Sequence, residues 1–442
     1  MTKNAKRMHF IGVGGVGMAG LAVLMKARGL DVSGCDVKAS ARTRWLEAQG
    51  IRVSIGHSPD HLKDADEVVV TPAVPKDAAE FALAAKNAAT GRCRLRCRGE
   101  VLAELVNEND GIAVCGSHGK TTTSTWTARL LLALGEPVSW CIGGETGAFP
   151  VAGAGAGPLV VEADESDGTL AFYRAKTLVV TNCEYDHPDH FKTVADYFAC
   201  FETAKRNAGT VIESEKLEPL AGLSGLEFLE SLAPHNRKNA RTAVEVALRR
   251  GHALADIAKA LSSIVGELPD RRFQRIWPLP PNSHIRTFAH SNNFLVYTDY
   301  AHHPTEMRIA VGMARKICRG TLRVLYQPHR YSRTKALLAD FPAAFDGADE
   351  VVLCPTYAAF EQPVEGGDSA DLYRVCREEE RGKREEGRGE RFLLARSCEE
   401  AWEHARNLMK EGDLTLLLGA GDIIGLVPRV RTDLAAQAPT LF

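Results

Sequence analysis

Net charge is almost missing from this chain: 54 basic residues stand against 56 acidic ones, for a formal charge of −2. That balance gives no general attraction for nucleic acid or an anionic membrane, so phosphate binding has to arise at local sites. Patterned cysteines are missing too. Eleven are present, an odd number, and only Cys93 and Cys97 lie close together. Such a set argues against a disulfide or zinc framework and for free thiols in a reducing cytoplasm. Residues 8–25 (MHFIGVGGVGMAGLAVLM) carry no Asp, Glu, Lys or Arg, yet five glycines crowd their first thirteen positions and no A-x-A cleavage pattern follows. A strand–turn–helix fits that composition better than a signal peptide or membrane span. No internal repeat is evident.

What remains is an ordinary globular composition, 45% apolar and 25% charged over 442 residues, which suggests two or three domains. Apolar runs at 8–13, 30–35, 51–55 and 67–71 alternate with helical stretches at 16–28, 40–49 and 76–89. This βαβ series implies a parallel sheet. A second series has strands at 111–115, 158–163 and 177–182 and helices near 120–134, 193–207 and 236–250. A third has strands at 294–298, 321–326, 350–354 and 414–418. The tract 276–283 (IWPLPPNS) reads as a linker or hairpin. Residues 377–391 alternate in sign and read as a solvated helix or loop. Three α/β domains are expected, with boundaries at 1–108, 109–272 and 273–442.

Several motifs sit at strand ends. Residues 12–17 (GVGGVG) satisfy G-x-G-x-x-G between a strand and a helix, with Asp36 ending the next strand. Backbone N–H groups there suit a nucleotide diphosphate, and tight strand–helix packing would equally explain the glycines. In GSHGKTTT (116–123) the ending Gly119-Lys120-Thr121 is that of a phosphate loop, but the long form needs glycine at 114, where Val114 stands. LVVEADESD (159–167) and LVVTNCEYDHPDH (178–190) both end apolar strands in carboxylates, suited to a hard cation. Pro188 between His187 and His190 opposes a helical zinc pair, so His187 reads as a magnesium-type ligand and His190 as an exposed residue. TDYAHHPTE (298–306) and YQPHRYSRT (326–334) land on loops at one sheet edge, where Arg330 and Arg333 can clamp a carboxylate.

Taken in order, GVGGVGM, GH (56–57), GSHGKTTT, EADESD, TN-x-E-x-DH (181–187), HN-x-x-N (235–239), RRF (271–273), DYAHHPTE, QPHRYSRT and GAGDI (419–423) resemble the Mur ligase family. The family's ATP loop is the short form G-x-x-G-K-[ST], which accounts for Val114. The resemblance implies a Rossmann-like UDP-binding domain, a P-loop-type ATPase central domain and a Rossmann-like C-terminal domain that takes the amino acid. It implies ATP-dependent, magnesium-dependent joining of L-alanine to UDP-N-acetylmuramate, in a monomer or homodimer without nucleic acid or membrane insertion. Two alternatives stay open: addition of a preformed murein tripeptide to the same sugar nucleotide, and a paralogue that binds nucleotide without catalysis.

By the same resemblance Gly12, Gly14, Gly15, Gly17, Asp36 and His57 meet the UDP-sugar. Gly116, Ser117, His118, Gly119, Lys120, Thr121, Thr122, Asn236, Asn239, Arg272 and Asp299 meet ATP. Thr121, Glu162 and His187 hold magnesium, and Lys120, Glu162, His187 and Arg272 carry catalysis. His302, His329, Arg330 and Arg333 surround the amino acid. Three departures stand out: Cys35 in place of a serine, Thr298 in place of an aspartate, and a much shortened stretch at 210–234. The end of that stretch, LEFLESL, has the apolar spacing of a short amphipathic helix or strand able to cover a sheet edge.

Overall fold

The computed structural model describes residues 5–71, 74–144, 149–218, 225–265, 272–278, 294–359, 361–381 and 390–437. They form two compact units, residues 1–270 and 271–442. The first unit holds two sheets and the second holds one.

In the first sheet, β1 (Arg7–Ile11), β2 (Asp31–Asp36), β3 (Arg52–Ile55), β4 (Glu67–Val70) and β5 (Arg94–Cys97) run parallel in the order β3-β2-β1-β4-β5. Strand order reverses between β1 and β4, so the loops after them border the crevice where such sheets bind ligands. The expected helices run Val16–Ala27, Ala41–Ala48 and Ala79–Ala89. The sequence reading had no strand at Arg94–Cys97 and no helix at Arg98–Asn107, yet both are present. Arg-Leu-Arg-Cys carries charge at alternate positions, a pattern fit for an edge strand but silent to a search for apolar runs. Arg96 spends that charge on Glu67 at 3.2 Å and Glu104 at 2.6 Å.

The second sheet comprises β6 (Gly111–Cys115), β7 (Ser139–Cys141), β8 (Ala152–Gly153), β9 (Leu159–Glu162), β10 (Thr177–Val180) and β11 (Thr210–Glu213). Its order is β11-β10-β6-β9-β7-β8, and only the β7–β8 pair is antiparallel. All five residues of β6 are buried, as a central parallel strand requires. One apolar cluster runs from Met8 and Phe10 through Val101 and Leu105 to Ala113, Val161 and Val180. The two sheets therefore share a core and fold as one unit. The boundary expected at 108/109 falls between the helix Arg98–Asn107 and β6.

The shortened stretch supplies β11 and the 3₁₀ turns Ser214–Lys216 and Glu227–Ser231. LEFLESL thus forms a 3₁₀ turn rather than an α-helix or strand. Leu226 and Leu229 are buried in the same cluster as Ile212 of the edge strand and Ala243 and Leu261 of the helices Pro234–Arg249 and Leu254–Ser262.

In the second unit β12 (Gln274–Trp277), β13 (Leu295–Asp299), β14 (Leu322–Tyr326), β15 (Glu350–Leu353), β16 (Phe392–Leu394) and β17 (Leu414–Leu418) form the sheet β12-β13-β17-β14-β15-β16. Only β12 is antiparallel to its neighbour. Apolar clusters lie on both faces, one around Val324 and Leu416, the other around Leu325, Trp402 and Leu417. The tract read as a linker or hairpin begins as β12, which contains Ile276 and Trp277, while residues 279–283 lie outside the described residues. Of the charged run, residues 377–381 end the helix Ser369–Arg381 and 382–389 lie outside.

Candidate active site

Three strand ends of the second sheet meet at one place. Val114 of β6 pairs with Glu162 of β9, and Cys115 pairs with Val180 of β10. The loop 116–119 leaving β6 is therefore flanked by the acidic string after β9 and the TN-x-E-x-DH string after β10. Gly116 adopts φ +127° and a Cβ there would lie 2.2 Å from Thr181 Oγ1. Gly119 adopts φ +80° and a Cβ would lie 2.6 Å from Asn239 Oδ1. Both positions exclude a side chain on backbone and space alike.

The loop is clamped from the β10 side. Asn182 Oδ1 accepts from His118 N at 2.9 Å, and Asn182 Nδ2 and Thr181 Oγ1 donate to His118 O at 2.9 and 2.6 Å. Ser117 Oγ donates to Glu184 O at 2.6 Å, accepts from Glu184 N at 2.8 Å and lies 2.9 Å from Tyr197 OH. The following helix Lys120–Ala133 has no side-chain cap. Its first amides therefore remain for an anion, which the helix dipole favours. Thr121 and Thr122 sit buried in its first turn. Asn236 and Asn239, expected on the ATP side, come to the loop from the helix Pro234–Arg249. Asn239 Oδ1 lies 3.3 Å from Thr123 Oγ1, and Asn239 Nδ2 lies 3.4 Å from Asn236 Oδ1.

Charge is concentrated beneath this loop. Lys120 Nζ donates to Gly116 O at 2.6 Å and to Glu165 Oε1 at 2.8 Å. Burial alone would lower the Lys120 pKa, but Glu165 and Asp164 outweigh it and hold the ammonium above its ordinary value. Burial would raise Asp164; Arg98, Lys120 and His187 overcome that and hold it below the usual carboxylate range. Arg98 reaches Asp164 at 3.2 Å from the first sheet's last helix.

Asp164, Glu165 and His187 offer ligand atoms that all lie within 4.8 Å of one another. His187 Nε2 is 3.7 Å from Glu165 Oε1, and the buried Glu165 Oε2 and His187 Nδ1 have no hydrogen-bond partner. Orphaned atoms of this kind, with mostly oxygen donors, fit a hard divalent cation. The grouping shares only His187 with the expected set. Glu162 lies beside it in sequence and accepts from Gly143 N at 2.8 Å. Glu165 is the residue that sequence reasoning passed over. It stands in the same EADESD string, but only the tertiary pairing with Lys120 singles it out. His190 is exposed, as expected.

The first sheet's glycine loop is built differently. Gly12 takes φ +82°, and Cys35 O accepts from both Gly12 N and Val13 N at 2.9 and 3.0 Å. Asp36 Oδ2 accepts from Gly14 N at 2.9 Å, so this carboxylate shapes the loop itself. Gly15 precedes the uncapped helix Val16–Ala27, and a Cβ on Gly17 would meet Arg98 Nη1 at 2.9 Å. His57 Nδ1 lies 2.9 Å from Glu80 Oε2 and 3.2 Å from Cys35 Sγ.

In the second unit Arg272 precedes β12, Asp299 ends β13, and the remaining expected residues follow β13 and β14, which flank β17. Asp299 accepts from Phe273 N and Ala301 N at 2.6 and 2.7 Å. Burial pushes it up to about 6, against the pull of Arg272. The Arg272 guanidinium lies 5.0 Å from the centre of the Tyr300 ring. The rings of His302 and His329 are 5.5 Å apart, and Arg333 Nη1 is 3.1 Å from His329 Nδ1. Arg333 is buried, whereas Arg330, at φ +71°, faces Glu361 at 3.7 Å.

Comparison with known proteins decides the family. A UDP-N-acetylmuramate–L-alanine ligase of Agrobacterium fabrum is 33% identical over 476 aligned positions, covering 96% of each chain. The chain belongs to the Mur ligase family. Family models described as "Mur ligase family, catalytic domain" and "Mur ligase, glutamate ligase domain" match residues 7–109 and 285–421. A namesake from Acidothermus cellulolyticus is also 33% identical, over 97% of this chain and 94% of its own.

Among solved structures, a UDP-N-acetylmuramate–alanine ligase from Thermotoga maritima superposes with a TM-score of 0.73 at 24% identity, covering 98% of this chain and all of its own. A murein peptide ligase from Psychrobacter arcticus gives 0.65 at 20%, over 99% of this chain and all of its own. These two bear on the fold alone, and it is the three-domain α/β fold expected of a Mur ligase. The 476-position alignment is longer than this whole 442-residue Mur ligase, so the relative carries residues that this chain lacks. Among the described residues no helix is long and apolar enough to cross a membrane.

Proposed function

We propose that this Mur ligase joins L-alanine to the muramoyl carboxylate of UDP-N-acetylmuramate, with ATP converted to ADP and phosphate, as a step of peptidoglycan precursor synthesis in the cytoplasm. The observation that carries the reading is Lys120, half-buried at an uncapped helix N-terminus between two acid-bearing strand ends. In the assigned sequence of events, a carboxylate oxygen of the sugar attacks the γ-phosphorus and the bond to the ADP oxygen breaks. The amine of alanine then attacks the acyl carbon, and the tetrahedral adduct loses phosphate and a proton to leave the amide.

Lys120 would leave Glu165 for the phosphoryl oxygens, where it offsets charge spreading in the transition state. Loop amides 116–119 and the first turn orient the phosphates. A magnesium ion would neutralise phosphate charge, held among Thr121, Glu162 and His187, with Asp164 and Glu165 as the adjoining acids. Residues 1–108 are assigned to the sugar nucleotide, 109–272 to ATP and 273–442 to the amino acid. His302, His329, Arg330 and Arg333 are assigned to that amino acid.

Following ADP release with UDP-N-acetylmuramate, Mg²⁺ and ATP taken to millimolar levels tests this. Turnover that requires L-alanine is expected, with the shortened 210–234 stretch expressed as a raised ATP requirement at most. Turnover with a murein tripeptide in place of alanine would move the chain to the recycling reaction. A folded protein that binds the sugar nucleotide without any turnover would make it a non-catalytic binder.

A further inference from the structure

Away from the phosphate loops, the first sheet buries a cluster that the proposed reaction does not use. His9 of β1 and Glu80 of the helix Ala79–Ala89 are 3% and 1% exposed, and Cys35 of β2 is fully buried. His61, from the 3₁₀ turn Pro59–Leu62, completes the group. One ligand atom from each of the four lies within 4.8 Å of every other. Glu80 Oε1 is 3.4 Å from His9 Nε2 and 3.0 Å from His61 Nδ1, and Glu80 Oε2 is 3.1 Å from Cys35 Sγ.

A buried carboxylate ringed by donors is a complete hydrogen-bond network in many proteins. Here one contact is loose: the buried His9 Nε2 lies 3.4 Å from Glu80 Oε1 without an aligned hydrogen bond. The other ring nitrogen, Nδ1, is committed to Ser33 Oγ at 2.9 Å. An imidazole fixed through one nitrogen, with the other turned toward further donor atoms, is the arrangement found in metal-ligating histidines. The two imidazoles lie 3.0 and 3.4 Å from Glu80 Oε1, near the edge of a tetrahedron whose metal–ligand bonds are about 2.0–2.3 Å, and the remaining pairs lie within 4.8 Å. One thiol, two imidazoles and one carboxylate are the soft-to-borderline mixture that suits zinc rather than magnesium or calcium. Four different elements supply them, so the fold itself sets the spacing. His57, 2.9 Å from Glu80 Oε2, stands as an outer partner to the carboxylate. A cavity of about 340 Å³ lined in part by His9, Ser33, Asp60 and His61 gives access.

We propose that His9, Cys35, His61 and Glu80 form a four-coordinate structural zinc site in the sugar-nucleotide domain. Its place is on the strand whose Cys35 carbonyl holds the glycine loop. Binding displaces the thiol proton to solvent and requires no other reactant.

The test is titration of chelator-stripped protein with Co²⁺ in excess Mg²⁺, added to compete at the carboxylate cluster near Lys120. One equivalent is expected to give tetrahedral visible bands with a thiolate-to-cobalt band in the near ultraviolet, both bleached by one equivalent of Zn²⁺. The thiolate band separates this site from the Asp164–Glu165–His187 group, which has no sulfur. Cys35→Ser should abolish that band, and His61→Gln should weaken cobalt binding by more than about tenfold. His61 lies near the surface, so its variant decides the matter if Cys35→Ser fails to fold. Absence of a thiolate band at saturating cobalt overturns the site. So does a band that persists in Cys35→Ser, or affinity unchanged in His61→Gln.

Discussion

The two glycine loops of the first unit share a local design and differ in electrostatics. Each follows a buried central strand, turns at a glycine of positive φ and opens a helix with no side-chain cap. In the first loop an amide is already taken: Gly14 N donates to Asp36, and Arg42 donates to Gly14 O at 2.8 Å. In the second, His118 N is likewise taken by Asn182, the carbonyls are tied down by Asn182, Thr181 and Lys120, and a lysine–glutamate pair lies beneath. Backbone shape therefore prepares both for phosphate, and charge decides what each can do with it. A loop whose arginine is bonded to its own backbone can hold a diphosphate; one with a movable ammonium can also stabilise a phosphoryl group in transit.

The widest separation between the loops is expected from Lys120→Ala. Turnover should fall by about 10²–10³-fold or more, as loss of one preorganised electrostatic contact does. Affinity for the sugar nucleotide should stay unchanged when measured by direct binding without ATP. Near-normal turnover would remove the distinction drawn between the loops. Gly119→Ala comes next. At φ +80° an alanine costs about 1–2 kcal/mol, and its Cβ would press on Asn239 Oδ1. A roughly ten- to thirtyfold rise in the KM for ATP is the expected outcome, again without effect on the first loop.

These loops were also the most legible parts of the sequence, because a strand, a glycine signature and a helix stand consecutively. What escaped was set by pairing across distance. Glu165 is one acid among four in EADESD until Lys120 is seen beside it. Asp36 was expected against the UDP-sugar, and its bond to Gly14 N depends on how β1 and β2 align. β5 escaped because arginines at alternate positions hide an edge strand, and β16 is only three residues long. The cluster of His9, Cys35, His61 and Glu80 escaped for the same reason: its members are scattered between positions 9 and 80 and match no ligand spacing. Sequence spacing argued against a cysteine-based zinc framework, and a site with a single thiol is invisible to that test.

A smaller effect is expected from Asp36→Ala. The carboxylate organises the first loop through one charge-assisted hydrogen bond, and such bonds contribute about 1.5–3 kcal/mol when intact. Part of that is recovered by water at this half-buried position. The KM for the sugar nucleotide should rise about tenfold or less, with kcat and the KM for ATP held. A fall in kcat of similar size would show that Asp36 acts beyond its own loop.

Gly15→Ala should do least, and its value lies in the contrast with Gly119. Gly15 has φ −62° and ψ 141°, a conformation open to alanine. The nearest atom to an added Cβ is Gly12 O at 3.5 Å, an ordinary contact. The protein should tolerate the methyl group, with stability changed by less than about 0.5 kcal/mol in a denaturant titration. If a diphosphate approaches the backbone here, the ligand meets the new methyl even though the protein does not. The KM for the sugar nucleotide should then rise a few-fold, within the range one methyl group commands. Sugar-nucleotide affinity that matches the parent protein would take Gly15 out of the binding loop and leave strand–helix packing as its reason for being glycine.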